Sequence, residues 1–370
     1  MNSQPVAQGP GGQVLVASDL EKHFTVKRSV FGRPLASVGA VDGVSLTLNA
    51  GETLAIVGES GCGKSTIGRM LMRLIEPSAG TVTLEGVDIT ALKPRDLLSL
   101  RSKIQLVFQD PYASLNPRMT VGQAISEPLM LHKIVPAAQR VARVGELLEM
   151  VGLRPEHASR FPHEFSGGQR QRVVIARALA SEPKILVCDE AVSALDVSIQ
   201  AQVLNLLKSL QKRLGLAYVF ISHDLSVIKH IADRVAVMYL GKLVEVGETK
   251  KIFASPRHPY TRALLSAIPV ATPDRKQHGR AHALSGDLPS PIDPPSGCRL
   301  HTRCPHARPQ CSSAAMTLES EPDGHANACA FWRELPAADD LMPQKTASDP
   351  RLEKLFAAFS RSTAEKEQTP

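Results

Sequence analysis

The sequence predicts an α/β fold: a mostly parallel sheet with helix-covered faces, broken by a helical insertion and followed by a smaller cysteine-bearing segment. Three observations point there. Apolar strand-sized runs alternate with helical stretches from Ile185 onward, a glycine-rich loop stands between a strand and a helix after residue 57, and the pattern between about 110 and 181 is helical. At 370 residues the chain exceeds a typical single domain, so one full domain plus something smaller is expected.

Residues 1–12 are polar and rich in Gly and Pro, with no apolar run of a secretory signal, and are expected to be disordered. Val44 to Leu48 alternates in strand fashion, Asn49-Ala50-Gly51 reads as a turn, and Thr53 to Val57 is an apolar strand. After the glycine loop, a helix from Lys64 to about Leu74 sets Ile67, Leu71 and Leu74 on one face before Glu76-Pro77 stops it. Thr81 to Leu84 and Ile104 to Phe108 are further strands. Helices follow over Val121 to Leu131, Ala137 to Val151 with Gly152 as its cap, and Ser166 to Ser181. Alternation then resumes with strand Ile185 to Cys188, helix Ser198 to Lys212, strand Ala217 to Ile221, helix Leu225 to Ala232 and strand Arg234 to Tyr239. Composition shifts near Ser255-Pro256. Pro269 to Pro295, rich in Pro, Ser and charge, reads as linker and irregular structure, and 336–370 as a mobile tail with a weak helical pattern near Arg351 to Phe359.

Composition narrows the function. Hydrophobic residues at 43% and charged residues at 21% suit a soluble globular core. A net charge of +7 suits anionic phosphates or an anionic surface, but over this length it is too small to argue for nucleic acid. No run approaches the roughly 20 apolar residues needed to cross a bilayer, so a membrane role has to come through partners. Six cysteines with no export signal point to reduced thiols or metal rather than disulfides.

The run Gly58-Glu59-Ser60-Gly61-Cys62-Gly63-Lys64-Ser65-Thr66 matches G-x4-G-K-[ST] in the strand-to-helix context that its chemistry requires. Bare glycine backbone lets N–H groups curl around phosphate oxygens, Lys64 reaches the β and γ phosphates, and the Ser65 hydroxyl suits Mg²⁺. The alternative, a plain glycine turn with a surface lysine, leaves this spacing unexplained. Ile185 to Asp189-Glu190 is an apolar strand ending in two acids at the edge where open α/β sheets bind ligands: Asp189 suits Mg²⁺ through its water shell, Glu190 the attacking water. Ser166-Gly167-Gly168-Gln169 opens a helix with an apt N-cap and bare backbone for close approach by phosphate.

This last run resembles the signature sequence of ATP-binding-cassette (ABC) proteins, and the resemblance covers about Val14 to Val246. It implies a P-loop NTPase (RecA-like) core over 13–255 with an antiparallel β subdomain and a helical signature subdomain at about 110–181. It also implies roles. Gln109 resembles the glutamine that senses Mg²⁺ and the γ-phosphate while contacting membrane subunits, Ser193-Ala-Leu-Asp196 the loop that crosses to the partner cassette, and His223 the switch histidine. Phe24 is the candidate for stacking on adenine, with Phe31 second; an ordinary core role is the alternative for either. In the family two cassettes pair head to tail, so the signature of one covers the ATP held by the other, and ATP closes this sandwich.

Phe108 to Arg118, Val192 to Leu206, His258-Pro259-Tyr260-Thr261 and Leu288 to Cys298 resemble the ATPase subunits of dipeptide and oligopeptide importers, particularly the second of two non-identical ATPases. One departure is Ala191-Val192, where many cassettes have Pro-Thr. This branch implies a C-terminal extension over 256–335, a second ATPase subunit, two transmembrane permease subunits and an extracytoplasmic solute-binding protein. It places the chain peripherally on the cytoplasmic face of the inner membrane, with ATP and Mg²⁺ as cofactors. Cys298, Cys304, Cys311 and Cys329 are spaced more loosely than zinc pairs. A [4Fe-4S] cluster, zinc and no metal stay open, with His301, His306 and His325 as alternative zinc ligands. Uptake of another solute such as a metal chelate is the alternative cargo. A soluble cassette ATPase and a small-molecule kinase are the rivals from other classes; the first usually carries long coiled-coil insertions, and the second leaves the Ser166 run without purpose.

Overall fold

The computed structural model describes residues 12–28, 34–268, 284, 286–336 and 354. In chain order the elements are β1 (Gln13–Arg28), β2 (Pro34–Asn49), β3 (Thr53–Val57), α1 (Lys64–Leu71), β4 (Ala79–Leu84), β5 (Val87–Asp88), α2 (Pro94–Arg101), β6 (Ile104–Val107), α3 (Pro111–Ser114), α4 (Val121–Leu131), α5 (Arg140–Met150) and α6 (Gly167–Leu179). They continue as β7 (Ile185–Asp189), α7 (Val197–Leu214), β8 (Ala217–Ile221), α8 (Leu225–Ile231), β9 (Arg234–Tyr239), β10 (Lys242–Glu248), α9 (Thr249–Ala254), α10 (Pro259–Ser266), β11 (Glu319–Ser320) and β12 (Ala326–Asn327). The chain divides into two compact units, residues 1–91 with 221–348 and residues 92–220 with 349–370.

The first unit carries an antiparallel sheet in the order β2-β1-β4-β5. Its long hairpin runs from the Gln13↔Asn49 pair to Arg28↔Pro34 with several register shifts. Those shifts, and Asp19 at a φ of 47°, break the alternation that a strand pattern relies on, which is why β1 is invisible to periodicity. Its other strands run β11-β12-β10-β9-β3, with β3 parallel to β9 and β10 antiparallel to it. β3 is buried at every position, as a parallel strand covered on both faces should be. The strand runs directly into the glycine loop and α1.

The C-terminal extension is stitched to this unit through β10. The Ala328 N–H donates to the Val244 carbonyl at 2.8 Å, and β12 pairs at Glu245↔Asn327 and Val246↔Ala326. The fully buried Glu245 carboxylate accepts the N–H groups of Arg257 at 2.7 Å and His258 at 3.0 Å, and meets His325 Nε2 at 2.7 Å. Its oxygens are thus matched to donors from two later segments. Glu245→Gln turns an amide N–H toward one of those donors, with an expected loss of about 1–3 kcal/mol in denaturant unfolding; an unchanged midpoint would show the pair to be structurally neutral.

The second unit holds β8-β7-β6, with β6 and β7 parallel. Its helices start where the caps dictate: α4 from Thr120 and α6 from Ser166, each with a reciprocal bond to a Gln three residues on, and α7 from Asp196. Gly215, at a φ of 66°, ends α7.

Several expectations need correction. α1 stops at Leu71 because Arg73 turns to a φ of 50°, and Leu74 is exposed rather than on its apolar face. β6 ends at Val107, leaving Phe108 exposed. The helix expected from Ala137 begins as a short 3₁₀ turn before α5. One helix was not foreseen: α10 forms at the start of the extension, ahead of the stretch expected to be irregular, with the His258 ring accepting the Tyr260 N–H and Pro259 at the first helical position. Residues 1–11, 269–283, Phe31 and the helical pattern at 351–359, Lys354 apart, lie outside the described residues. Among the described residues no helix is long and apolar enough to cross a membrane.

Candidate functional site

In the first unit, the loop from Gly58 to Gly63 is shaped by glycines that have no room for a side chain. A Cβ on Gly58 would lie 2.2 Å from the Met238 carbonyl oxygen, and one on Gly63 would lie 2.0 Å from that of Ala40. The chain therefore turns tightly against the backbone of β9 and β2, with the Cys62 N–H closing the turn on the Glu59 carbonyl at 3.4 Å. Lys64 is nearly buried at 5% exposure, and its ammonium donates to the carbonyls of Gly58 and Glu59, both at 2.8 Å. Lys64 is thus folded back onto its own loop. Burial pushes the Cys62 thiol up against the pull of Lys64, so Cys62 packs as a small apolar residue. Ser65 and Thr66 lie in the first turn of α1.

Phe24 on β1 is 40% exposed, with the Lys22 ammonium 5.2 Å from its ring centroid, which removes the core role weighed for it. His223 is exposed in the segment between β8 and α8, whose start is capped by Asp224.

In the second unit, buried β7 ends in Asp189, 7% exposed, and Glu190. Glu190 takes a φ of 50°, a left-handed conformation that costs a non-glycine residue about 1–2 kcal/mol. Three bonds hold it there. Gln109 Nε2 donates to its carboxylate at 2.7 Å, and the Ser193 N–H and hydroxyl both donate to its carbonyl, at 3.1 and 3.0 Å. The structure thus brings Gln109 onto Glu190, 81 residues away in sequence, while Ser193 holds the same residue from three positions on. With Nε2 on Glu190, Oε1 is the Gln109 atom left to face a cation, and like the Asp189 carboxylate of the same unit it is a hard oxygen donor of the kind Mg²⁺ takes.

The Ser166 hydroxyl accepts the Gln169 N–H at 3.4 Å while Gln169 Oε1 accepts the Ser166 N–H at 3.1 Å. Gly168 faces α7 so closely that a Cβ there would sit 2.2 Å from Ile199 Cγ2, whereas Gly167 has room. The Asp196 carboxylate is held below its usual range, first by the Ile199 N–H and then by the Ser198 hydroxyl. The signature turn and the Asp196 loop are therefore set by one helix pair, α6 against α7.

The four C-terminal cysteines come together in the first unit, where Cys298, Cys304, Cys311 and Cys329 line one pocket with His258, His301 and His306. Burial raises the thiols of Cys298, Cys304 and Cys329, the last to about 11. All six cysteines are free thiols. Among the described residues no three His, Cys, Asp or Glu side chains are grouped so as to hold a metal ion as they stand. His325 drops out of the alternative zinc set: it is 1% exposed rather than solvated, and its Nε2 is engaged by Glu245.

Sequence reasoning missed Tyr260, Arg299 and Arg303 as neighbours of the glycine loop. The Tyr260 hydroxyl accepts the Glu59 N–H at 2.8 Å, and Arg303 pairs with the Glu59 carboxylate at 2.9 Å. The His258 to Thr261 run marked the place of Tyr260 but not its target; nothing local marks Arg303.

Comparison with known proteins places these observations in a family. Residues 41–193 match the ABC transporter family profile, and residues 244–311 match that of the oligopeptide/dipeptide transporter C-terminal region. The oligopeptide transport ATP-binding protein OppF of Escherichia coli is 52% identical over 83% of this chain and 92% of its own length. The dipeptide transport ATP-binding protein DppF of the same organism is 53% identical over 79% of this chain and 86% of its own. Among solved structures, the dimeric post-hydrolysis state of the ATP-binding cassette MJ0796, bound to ADP and phosphate, superposes with a TM-score of 0.57 at 29% identity, covering 64% of this chain and 98% of that one.

Proposed function

Since the chain belongs to the ABC transporter ATPase family and carries the oligopeptide/dipeptide transporter C-terminal region, we propose that it is the ATP-hydrolysing subunit of an importer of dipeptides or oligopeptides. It works in a head-to-tail pair of cassettes at the cytoplasmic face of the membrane, with two permease subunits and an extracytoplasmic solute-binding protein. The single observation that carries this reading is the joint match of the cassette and the peptide-transporter C-terminal region in one chain. The dimeric assembly of the similar MJ0796 cassette with ADP and phosphate supports the pairing.

The roles follow from chemistry. Loop N–H groups and Lys64 bind the β and γ phosphates, Lys64 exchanging its two carbonyl partners for phosphate oxygens. Ser65, Asp189 and Gln109 would be the oxygen donors to Mg²⁺, which would neutralise charge on the phosphates. Glu190 takes a proton from the attacking water, and Gln109, bonded to that carboxylate, fixes its direction. His223 contacts the γ-phosphate end. Phe24 offers its exposed ring to adenine, while Ser166 to Gln169 cover the nucleotide of the partner cassette and Ser193 to Asp196 face that partner.

The test is purification from membranes with the companion subunits retained, followed by ATP-driven uptake of labelled peptide into vesicles. Recovery without hydrophobic partners, or uptake indifferent to ATP, sinks the importer reading.

For the cysteine segment we favour a [4Fe-4S] cluster over zinc. Four thiols around one pocket support it, since such clusters take four thiolates. Anaerobically purified protein is expected to be brown and to contain about four iron atoms per chain; a colourless, iron-free sample rules the cluster out.

A further inference from the structure

Glu59 follows Gly58 at the start of the glycine loop, and the C-terminal extension grips it at two points. Its N–H donates to the hydroxyl of the fully buried Tyr260 at 2.8 Å. Its carboxylate takes both arms of Arg303, Nη1 to Oε2 at 2.9 Å and Nη2 to Oε1 at 3.3 Å. Arg303 is itself fixed: it is 9% exposed, Nη1 also lies 3.4 Å from the Tyr239 hydroxyl, and the Tyr239 and Tyr260 rings meet with centroids 4.7 Å apart. A second arginine in the same turn, Arg299, donates to the Leu240 carbonyl and the Asp42 carboxylate, next to Gly241, whose N–H donates to the Cys62 carbonyl at 3.0 Å. Arg299 and Arg303 both lie in the turn between Cys298 and Cys304, closed by the N–H groups of Arg303 and Cys304 on the Leu300 carbonyl.

We propose that Arg303 is a positioning residue of the phosphate loop: acting through Glu59, with Tyr260 as a second brace, it makes ATP affinity depend on the folded cysteine-bearing turn. The proposal rests on the reading of Gly58 to Thr66 as the ATP site. Two physical effects support it. A loop of glycines has wide conformational freedom, and a two-pronged guanidinium–carboxylate pair removes part of it before the nucleotide arrives. The Glu59 carboxylate, inside the loop itself, repels an incoming triphosphate, and Arg303 cancels that charge. Arg303 touches no substrate atom in this scheme.

The test uses the full chain, with Mg·ATP affinity measured by calorimetric titration in the Glu190→Gln background so that nucleotide is not consumed. Arg303→Ala is expected to weaken ATP binding about tenfold, and Arg303→Lys, which keeps the charge but loses one prong, by less. If Arg303 acts through Glu59, adding Arg303→Ala to Glu59→Ala changes affinity no further. In the assembled transporter of otherwise native sequence, Arg303→Ala is expected to raise KM for ATP about tenfold and leave kcat within about twofold. Arg303→Ala protein that melts lower yet binds ATP like its parent, or effects of the two substitutions that simply add, overturns the proposal. Lys64→Ala is the control for the underlying reading: if it too binds ATP normally, the nucleotide site itself has been misplaced, a failure distinct from that of Arg303.

Discussion

Glu190→Gln is expected to leave ATP bound while lowering turnover by at least on the order of a hundredfold. The substitution is nearly isosteric. An amide keeps the shape of the side chain and can still meet Gln109, which sits 2.7 Å away, so the loop around the left-handed residue 190 keeps its bonds from Ser193. What disappears is the basic oxygen to which the proposed mechanism gives the proton of the attacking water. Because the proposal assigns phosphate binding to another run, Gly58 to Thr66, affinity and turnover should separate. Phosphate release by the assembled complex, set beside a nucleotide titration, reads both. Hydrolysis at the native rate would remove Glu190 from its role, and a parallel loss of binding would make it a structural residue.

The second large effect is expected from Gly63→Ala, which should abolish measurable ATP binding, a loss of more than about a hundredfold. At a φ of 105° alanine is strained, and its methyl group would lie 2.0 Å from the Ala40 carbonyl oxygen, a backbone atom that cannot swing aside. Either β2 or the loop has to move, at about 2–6 kcal/mol when strain and overpacking are summed. Movement of the loop displaces the Lys64 N–H that follows directly. Gly61→Ala is the comparison, because nothing lies within 4 Å of a Cβ there and only its φ of 79° is unfavourable. Calorimetric titration of the two variants should separate them; equal binding by both and by the parent would show that the tight contact at Gly63 does not matter for nucleotide.

Much of the fold was legible because its signals are local. Thr53 to Val57, Ala217 to Ile221 and Arg234 to Tyr239 are apolar runs bounded by turn residues, and they form strands with those bounds. Ser166 followed by Gln169 is a capping box written in adjacent residues, and α6 starts there. Elements whose pattern is broken or whose reward is distant were not legible. β1 is split by register shifts, and β10 carries Glu245, a carboxylate that looks like a solvent-facing residue until His325 and Arg257 are found around it. The same limit applies to the site. Spacing marked Lys64, Asp189 and Glu190, but the bond between Gln109 and Glu190 spans 81 residues, and that between Arg303 and Glu59 spans 244. No window of sequence contains both partners.

The short β11-β12 ribbon carries a consequence of a different kind. β10 is seven residues long and mostly buried, and it has β9 on one side only. Left open, its other side would be a row of unspent amides ready to zip onto any extended chain, the usual beginning of aggregation. β12 and the Ala328 amide take up part of that row, and the strand that then becomes outermost is two exposed residues, Glu319 and Ser320, too brief and too polar to recruit a neighbour. The extension thus acts as a sheath for the sheet, and a chain cut off before it should be lost to insoluble material even where its catalytic machinery is complete.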